Sequence, residues 1–333
     1  MNVPLLLRIG LWPFSLVYGA AARFRAWLYA SGWLKQRRLK GIVISVGNLT
    51  IGGTGKTPMV IWLAERFLAD GKQVAILSRG YRGTGETSDE VEVMKRHLDG
   101  RVAFGVGKNR YAQGRRLEHR RIEIFLLDDG FQHLQLARDF DIVLIDSTRP
   151  LRQQSLLPAG SLREPVAAVS RADLVLFTRT NHAPGIVWAM QQLPQFPIFP
   201  AITKLIGFRR HGDEGENLCA ERAAGPFYAF CGIGNAEAFF HDLEKWRISL
   251  AGRAKFRDHH RYTAADISNL EKSATEAGAT AVVTTEKDAQ NLGDARFARL
   301  PLYVTVMTLD VPDEEEVLRR IKGKIYSRRG VAA

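Results

Sequence analysis

The chain has 333 residues, 46% of them apolar, with 47 basic against 35 acidic side chains and a net charge of +12. That length suits one large or two medium domains with a sizeable core, and two cysteines, Cys219 and Cys231, exclude a disulfide framework. Seven of the cations (Arg8, Arg23, Arg25, Lys35, Arg37, Arg38, Lys40) lie in the first 40 residues, which hold no acid, so of the +12 only +5 remains for everything after. With no finger, RNP-type aromatic strand or recognition-helix signature either, nucleic acid is not an expected partner.

Between Arg8 and Arg23 run 14 uncharged residues, "IGLWPFSLVYGAAA". As a helix they reach about 21 Å, short of the roughly 30 Å hydrocarbon core of a bilayer. Trp12, Trp27 and Trp33 interleave with the cations, a mixture suited to the headgroup layer, and the cluster at 35–40 suits anionic lipid. The expectation is a membrane-associated helix with a basic flank over residues 1–40. A buried helix and a signal peptide cut near Ala20–Ala22 remain the alternatives.

Next comes "SVGNLTIGGTGKTPMV" (45–60), which ends as a phosphate-binding loop but has Thr50 where the usual pattern has its first glycine. The context supplies what the motif lacks. "GIVISV" (41–46) reads as a buried parallel strand and "TPMVIWLAERFLADG" as a helix with Pro58 near its start. Gly52, Gly53 and Gly55 can make the tight positive-φ turns, with Gly47 as extra slack upstream. Gly52 to Pro58 (with Thr54) are therefore the expected phosphate-binding residues, Lys56 reaching the β- and γ-phosphates of ATP and Thr57 placing its hydroxyl on Mg²⁺.

Further short apolar runs at 73–77, 102–106, 122–127, 141–145 and 173–177 alternate with helical or loop segments, which predicts a mostly parallel sheet covered on both faces. In "IEIFLLDDGFQH" a buried strand delivers Asp128 and Asp129 to the ligand edge as candidate Mg²⁺ partners, with His133 close behind. Residues 196–226 mix prolines, glycines and charges and read as a connector. A second α/β unit follows, with strands in "FYAFCGIG", "TAVVTT" and "LYVTVMTL", helices at 235–246, 264–277 and 313–322, and a frayed basic tail from 322.

Taken in order, "SVGNLTIGGTGKTP", "LSRGYRG", "DDGFQH", "LPAGSLREP", "FCGIGNAEAF", "FRDHHRYT" and "TTEKDAQNL" resemble the tetraacyldisaccharide 4′-kinase family of lipid A synthesis, from about residue 5 to 310. The resemblance implies an N-terminal membrane-associated helix, a phosphate-loop α/β kinase domain (41–215) and a smaller C-terminal α/β domain (216–333). It implies transfer of the γ-phosphoryl of MgATP to the 4′-hydroxyl of tetraacyldisaccharide 1-phosphate at the cytoplasmic face of the inner membrane, with that lipid and the anionic bilayer as partners and no protein partner.

The family's catalytic aspartate falls on Asp89 of "SDEV", although Ser88 and Val91 stand where the family pattern has glycine and proline; a helix N-cap or first-turn acid is the bland alternative. His259 of "RDHH" matches the histidine that pairs with it, with His260 beside it as the competitor. Arg163 and Glu164 match residues lining the metal and phosphate site, and Glu286, Lys287 and Asp288 match a nucleotide-side motif. Because the phosphate loop and "RDHH" lie in different halves, closure is expected to assemble the site, and ATP hydrolysis without lipid should be slow. A membrane-recruited ATPase switch and a soluble small-molecule kinase are the rival readings.

Overall fold

The computed structural model describes residues 5–80, 88–149, 151, 154–180, 196–212, 225–293 and 295–329. The protein is mixed α/β with a mostly parallel sheet, and it divides into two compact units. The first comprises Met1–Glu86, His97–Ile202 and Leu309–Ala333; the second comprises Thr87–Arg96 and Thr203–Thr308.

In the first unit, β1 (Ile42–Asn48) pairs in parallel with β4 (Ile124–Asp128) on one side and β5 (Phe140–Asp146) on the other. β2 (Val74–Ser78) and β3 (Ala103–Val106) extend the sheet beyond β4, and β6 (Leu174–Thr178) extends it beyond β5 towards the start of β7 (Ile198–Arg210). The central strands are buried along their length because helices cover both faces, which is why they read as mainly apolar runs rather than alternating ones. α2 (Lys56–Ala69) buries Met59, Val60, Ile61, Trp62, Leu63, Ala64 and Phe67. Each large apolar side chain so buried contributes about 1.5–3 kcal/mol.

The strand ends matter most. Register sets Val46 beside Asp128 and Asp146 beside Thr178, so the loop after β1, Asp128, Asp146 and Thr178 share the carboxyl edge, where parallel α/β sheets bind ligands.

α1 (Leu5–Ala30) carries Pro13 inside it, and one face is pinned to the 156–163 loop. Ser15 Oγ donates to the Leu156 carbonyl and accepts from the Ala159 amide, both at 3.0 Å, and the Tyr18 hydroxyl donates to the Arg163 carbonyl at 3.0 Å. The other face leaves Ile9, Trp12, Phe14, Val17 and Phe24 each more than half exposed. Among the described residues no helix is long and apolar enough to cross a membrane.

In the second unit, β8 (Phe227–Cys231) lies in parallel between β9 (Leu250–Lys255) and β10 (Ala281–Thr285), and β10 pairs in parallel with β11 (Leu302–Asp310). α5 (Ala236–Lys245) packs Phe239, Phe240 and Leu243 on one face of this sheet, beside Phe208 and Cys231. α6 (Ala264–Glu276) packs Ile267, Leu270 and Ala274 with Phe230 and Tyr262. Asn235 caps α5 by accepting from the Ala238 amide at 3.3 Å, and α6 opens on a reciprocal capping box between Thr263 and Asp266. Burial pushes the Cys231 thiol well above its ordinary range, which fits a core residue; Cys219 lies outside the described residues.

Three expectations change. Residues 198–210, read as part of a connector, form the 13-residue β7, hidden because Pro200 and alternating exposure break the apolar run. The basic tail is not frayed from 322: α8 (Glu314–Arg329) continues through it, with Val317, Ile321 and Ile325 fully buried at helical spacing. Gly47 is not loop slack but part of β1, where a Cβ would stand 2.5 Å from Phe131 Cβ; the glycine allows that close approach.

Candidate active site

The phosphate loop joins β1 to α2 by turns that need glycine. Gly52 has φ +111 and Gly55, the N-cap of α2, has φ +86, both in the left-handed region. The loop is held from outside. Asn48 Nδ2 donates to Thr54 Oγ1 at 2.9 Å, Thr178 Oγ1 donates to the Thr54 carbonyl at 3.0 Å, and Arg179 Nη1 donates to the Gly53 carbonyl at 3.0 Å while pairing with Asp146 at 2.6 Å. α2 has no side-chain cap and no acid in its first turn, so its leading amides stay available to an anion.

Charged side chains surround this loop. Lys56 Nζ lies 3.6 Å from Asp129 Oδ1, and Arg163 Nη1 donates to both Asp129 oxygens at 2.8 and 2.7 Å. Asp129 adopts φ +49, a conformation more open to Asp than to most residues, which turns its carboxylate to these cations. Burial works to raise its pKa, but Lys56, Arg163 and Arg110 outweigh it and hold the carboxyl below its usual range. Asp128, 3% exposed, accepts from Ser78 Oγ at 3.0 Å.

Arg110, buried at the start of α4 (Arg110–Leu117), places Nη1 3.4 Å from His133 Nδ1. Burial first, then Arg110 and Arg138, lower His133 to about 4, so its ring is neutral at physiological pH. Glu164 is buried and pairs with Arg171 Nη2 at 2.5 Å, so its ion pair does not join it to Thr57, Asp128 or Asp129. Among the described residues no group of three or more His, Cys, Asp or Glu could hold a metal by itself.

The second unit holds a different constellation. Asp89 is the first residue of α3 (Asp89–Leu98), and the capping oxygen comes from Ser88, whose Oγ accepts from the Val91 amide at 3.4 Å. The Asp89 side chain is thereby left to other partners. His259 Nδ1 lies 2.9 Å from Asp89 Oδ2, with side-chain exposures of 15% and 7%. Asn291 Nδ2 donates to the same oxygen at 3.5 Å, and Lys287 Nζ is 3.9 Å away. Burial tends to raise Asp89, but the His259 contact, Lys287 and Asn291 reverse it and keep the carboxyl below its usual range. His259 reaches the pair from a backbone at φ +59, uncommon for histidine, and its amide donates to the Gly232 carbonyl at 3.0 Å.

His260 points elsewhere, stacking on Phe256 at 4.7 Å and lying 3.1 Å from Asp266. The structure thus brings together Lys56, Asp129 and Arg163 at the phosphate loop, and separately Asp89 and His259. Sequence reasoning missed Arg110, Arg179, Asn291 and the link from Lys287 to Asp89. Lys287 and Asn291 lay in a quoted motif, "TTEKDAQNL"; Arg110 and Arg179 stand in segments without a local signal.

A left-handed, glycine-rich loop capped on a helix, with a lysine and a carboxylate strand end at the same sheet edge, defines a phosphate-loop α/β enzyme. The family model for tetraacyldisaccharide-1-P 4′-kinase matches residues 7–326. The chain is 37% identical over 320 residues to a tetraacyldisaccharide 4′-kinase of Geobacter metallireducens, covering 90% of this chain and 93% of that one. It is 38% identical over 325 residues to the enzyme of the same name from Geobacter sulfurreducens, covering 89% and 87%. A crystal structure of LpxK from Aquifex aeolicus in complex with ATP superposes with a TM-score of 0.76 at 29% identity, covering 96% of this chain and all of that one. The chain belongs to the LpxK family of tetraacyldisaccharide 4′-kinases, ATP-dependent enzymes of lipid A biosynthesis.

Proposed function

We propose that this kinase moves the γ-phosphoryl group of ATP to the 4′-hydroxyl of tetraacyldisaccharide 1-phosphate, with the first unit holding the nucleotide and Asp89 taking the hydroxyl proton. The observation that carries the assignment is the 2.9 Å contact between His259 Nδ1 and a buried Asp89 held ionised. An ionised carboxylate is the protonation state a general base needs. The new bond joins the 4′-oxygen to the γ-phosphorus, the bond from the γ-phosphorus to the β,γ-bridging oxygen breaks, ADP leaves with that electron pair, and the proton goes to Asp89.

Lys56 and the leading amides of α2 bind the phosphates, and Arg163 and Arg110 add positive charge on the Asp129 side. The donor set fits Mg²⁺: the Thr57 hydroxyl and the Asp128 carboxylate are hard oxygens, and this ion takes most of its ligands from water and substrate phosphates, so a three-residue protein cluster is not needed. When bound, Mg²⁺ neutralises charge on the phosphates.

α1 suits a helix lying in the membrane interface. Its inner face is pinned to the loop carrying Arg163, while apolar side chains, with tryptophans, phenylalanine and Arg23, cover the outer one. This reading places the enzyme at the cytoplasmic face of the inner membrane, on the bilayer that carries its acylated, anionic substrate.

Transfer of labelled γ-phosphate from MgATP to tetraacyldisaccharide 1-phosphate in mixed micelles, comparing wild type with Lys56→Ala and Asp89→Ala, tests the proposal. Label entering the lipid in wild type and nearly lost in both variants supports it. Hydrolysis of ATP at a rate indifferent to the lipid would sink it. Flotation with anionic vesicles tests the membrane reading, since Trp12→Ala/Phe14→Ala should leave the protein unbound.

A further inference from the structure

Lys287 is the second residue of α7 (Glu286–Asn291), a helix of one and a half turns whose backbone is tightly fixed. Thr285 caps it by accepting from the Asp288 amide at 3.1 Å. Asp288, fully buried, accepts from Thr285 Oγ1 at 2.6 Å, from the Tyr262 hydroxyl at 2.8 Å and from the Gly232 amide at 2.7 Å. The same Gly232 receives the His259 amide at its carbonyl, so Lys287 and His259 are built on one frame.

From that frame the Lys287 ammonium lies 3.2 Å from His259 Nε2, 3.5 Å from Glu90 Oε1, 3.5 Å from Asp258 Oδ1 and 3.9 Å from Asp89 Oδ2. One cation, its side chain 21% exposed, thus faces an imidazole and three carboxylates. Burial opposes its charge, but Glu90, Asp258 and Asp89 overcome this and raise its pKa, so it stays an ammonium across the physiological range.

An ammonium only donates. Its hydrogen bond to Nε2 requires a lone pair there, which puts the imidazole proton on Nδ1, facing Asp89. We propose that Lys287 is a positioning residue for phosphoryl transfer: it fixes His259 as the neutral Nδ1–H tautomer that donates to Asp89, and it keeps the pair from taking up a second proton. The inference rests on the reading of Asp89 as the base.

The other groups facing the pair are Glu90 from α3, Asp258 from the loop after β9, and Asp288 and Asn291 from α7. Three of them are carboxylates. Without the ammonium, Nε2 would be open to a proton that these acids favour, and an imidazolium against Asp89 makes it a weaker base. Removing a positive charge raises the proton affinity of everything near it, so the sign of the effect is fixed.

The test is the pH profile of γ-phosphate transfer from about pH 5 to about pH 9, with Tm measured for each variant. For Lys287→Met the acidic limb should move up by about 1 pH unit or more, with the KM for ATP unchanged. Lys287→Arg, which retains the charge, should keep the wild-type limb, and Asp258→Asn in the Lys287→Met background should bring the limb part of the way back. A uniform fall in kcat with an unmoved limb, or a limb displaced equally in Lys287→Arg, overturns the proposal. Asp89→Asn separates the two claims: if it retains a tenth or more of wild-type kcat, the reading of Asp89 as the base has failed whatever Lys287 does.

Discussion

The two units build their sites by opposite means. In the first, the groups proposed to bind phosphate are neighbours in sequence: Gly52, Gly53 and Gly55 lie on one loop, Lys56 and Thr57 open the helix that follows it, and backbone geometry does much of the work. In the second, Asp89 and His259 are 170 positions apart, and their meeting depends on α3, the Gly232 turn and α7 being placed independently. An anion cradle can be a local motif because amides and a helix terminus are supplied by any chain that folds there. An acid–base pair needs two particular side chains within hydrogen-bond reach, which tertiary structure alone provides.

That contrast predicts a split between rate and binding. Asp89→Asn should lower kcat by about 10²- to 10⁴-fold, the range for loss of a general base, while ATP affinity stays near wild type. Lys56→Ala should lower kcat by about 10²- to 10³-fold and weaken ATP binding as well, because in the proposed role its ammonium would meet the nucleotide before and during transfer. Single-turnover transfer with calorimetric titration of ATP reads both quantities. Equal loss of ATP affinity in the two variants would break the division of labour.

The same contrast explains what could be read in advance. Strands buried on both faces, such as "IVISV" and "IFLLD", are visible because their surroundings favour apolar residues at most positions. β7 was hidden because it is half exposed and carries Pro200, and α7 because six residues, "EKDAQN", are too few and too polar for a periodic signal. Asp89 and His259 could be named only through a family resemblance. Nothing local in "SDEV" distinguishes a base from a first-turn acid, and it took the structure to show Ser88 in the capping role. Nor could a linear division near residue 215 assign residues 87–96 and 309–333, since contacts through space, such as Arg66 with Glu314 at 2.7 Å, decide where such segments belong.

His133 sharpens the comparison from the side of stability. Burial and the nearby arginines lower it to about 4, below the 6.5 of a free histidine, so between these values the unfolded chain binds a proton that the folded chain does not. Stability therefore rises with pH through that window and is lost as pH falls from 6.5 towards 4. Thermal melts of wild type should show this slope and His133→Gln should flatten it. An equal slope in both would mean that His133 is not held neutral by burial and the nearby arginines.

The smallest effect concerns the frame of the acid–base pair. Thr263 and Asp266 cap α6 reciprocally, the Thr263 hydroxyl accepting from the Asp266 amide at 3.2 Å and Asp266 accepting from the Thr263 amide at 2.9 Å. This box closes the "RDHHRY" loop at its far end, while His259 itself is fixed by Gly232 and Lys287. Thr263→Ala should then cost about 1 kcal/mol of stability, the usual loss for such a cap, and leave kcat and its pH profile unchanged. A displaced acidic limb in Thr263→Ala would instead show that the pair depends on the whole loop, and that local capping contributes to a site otherwise made by long-range contacts.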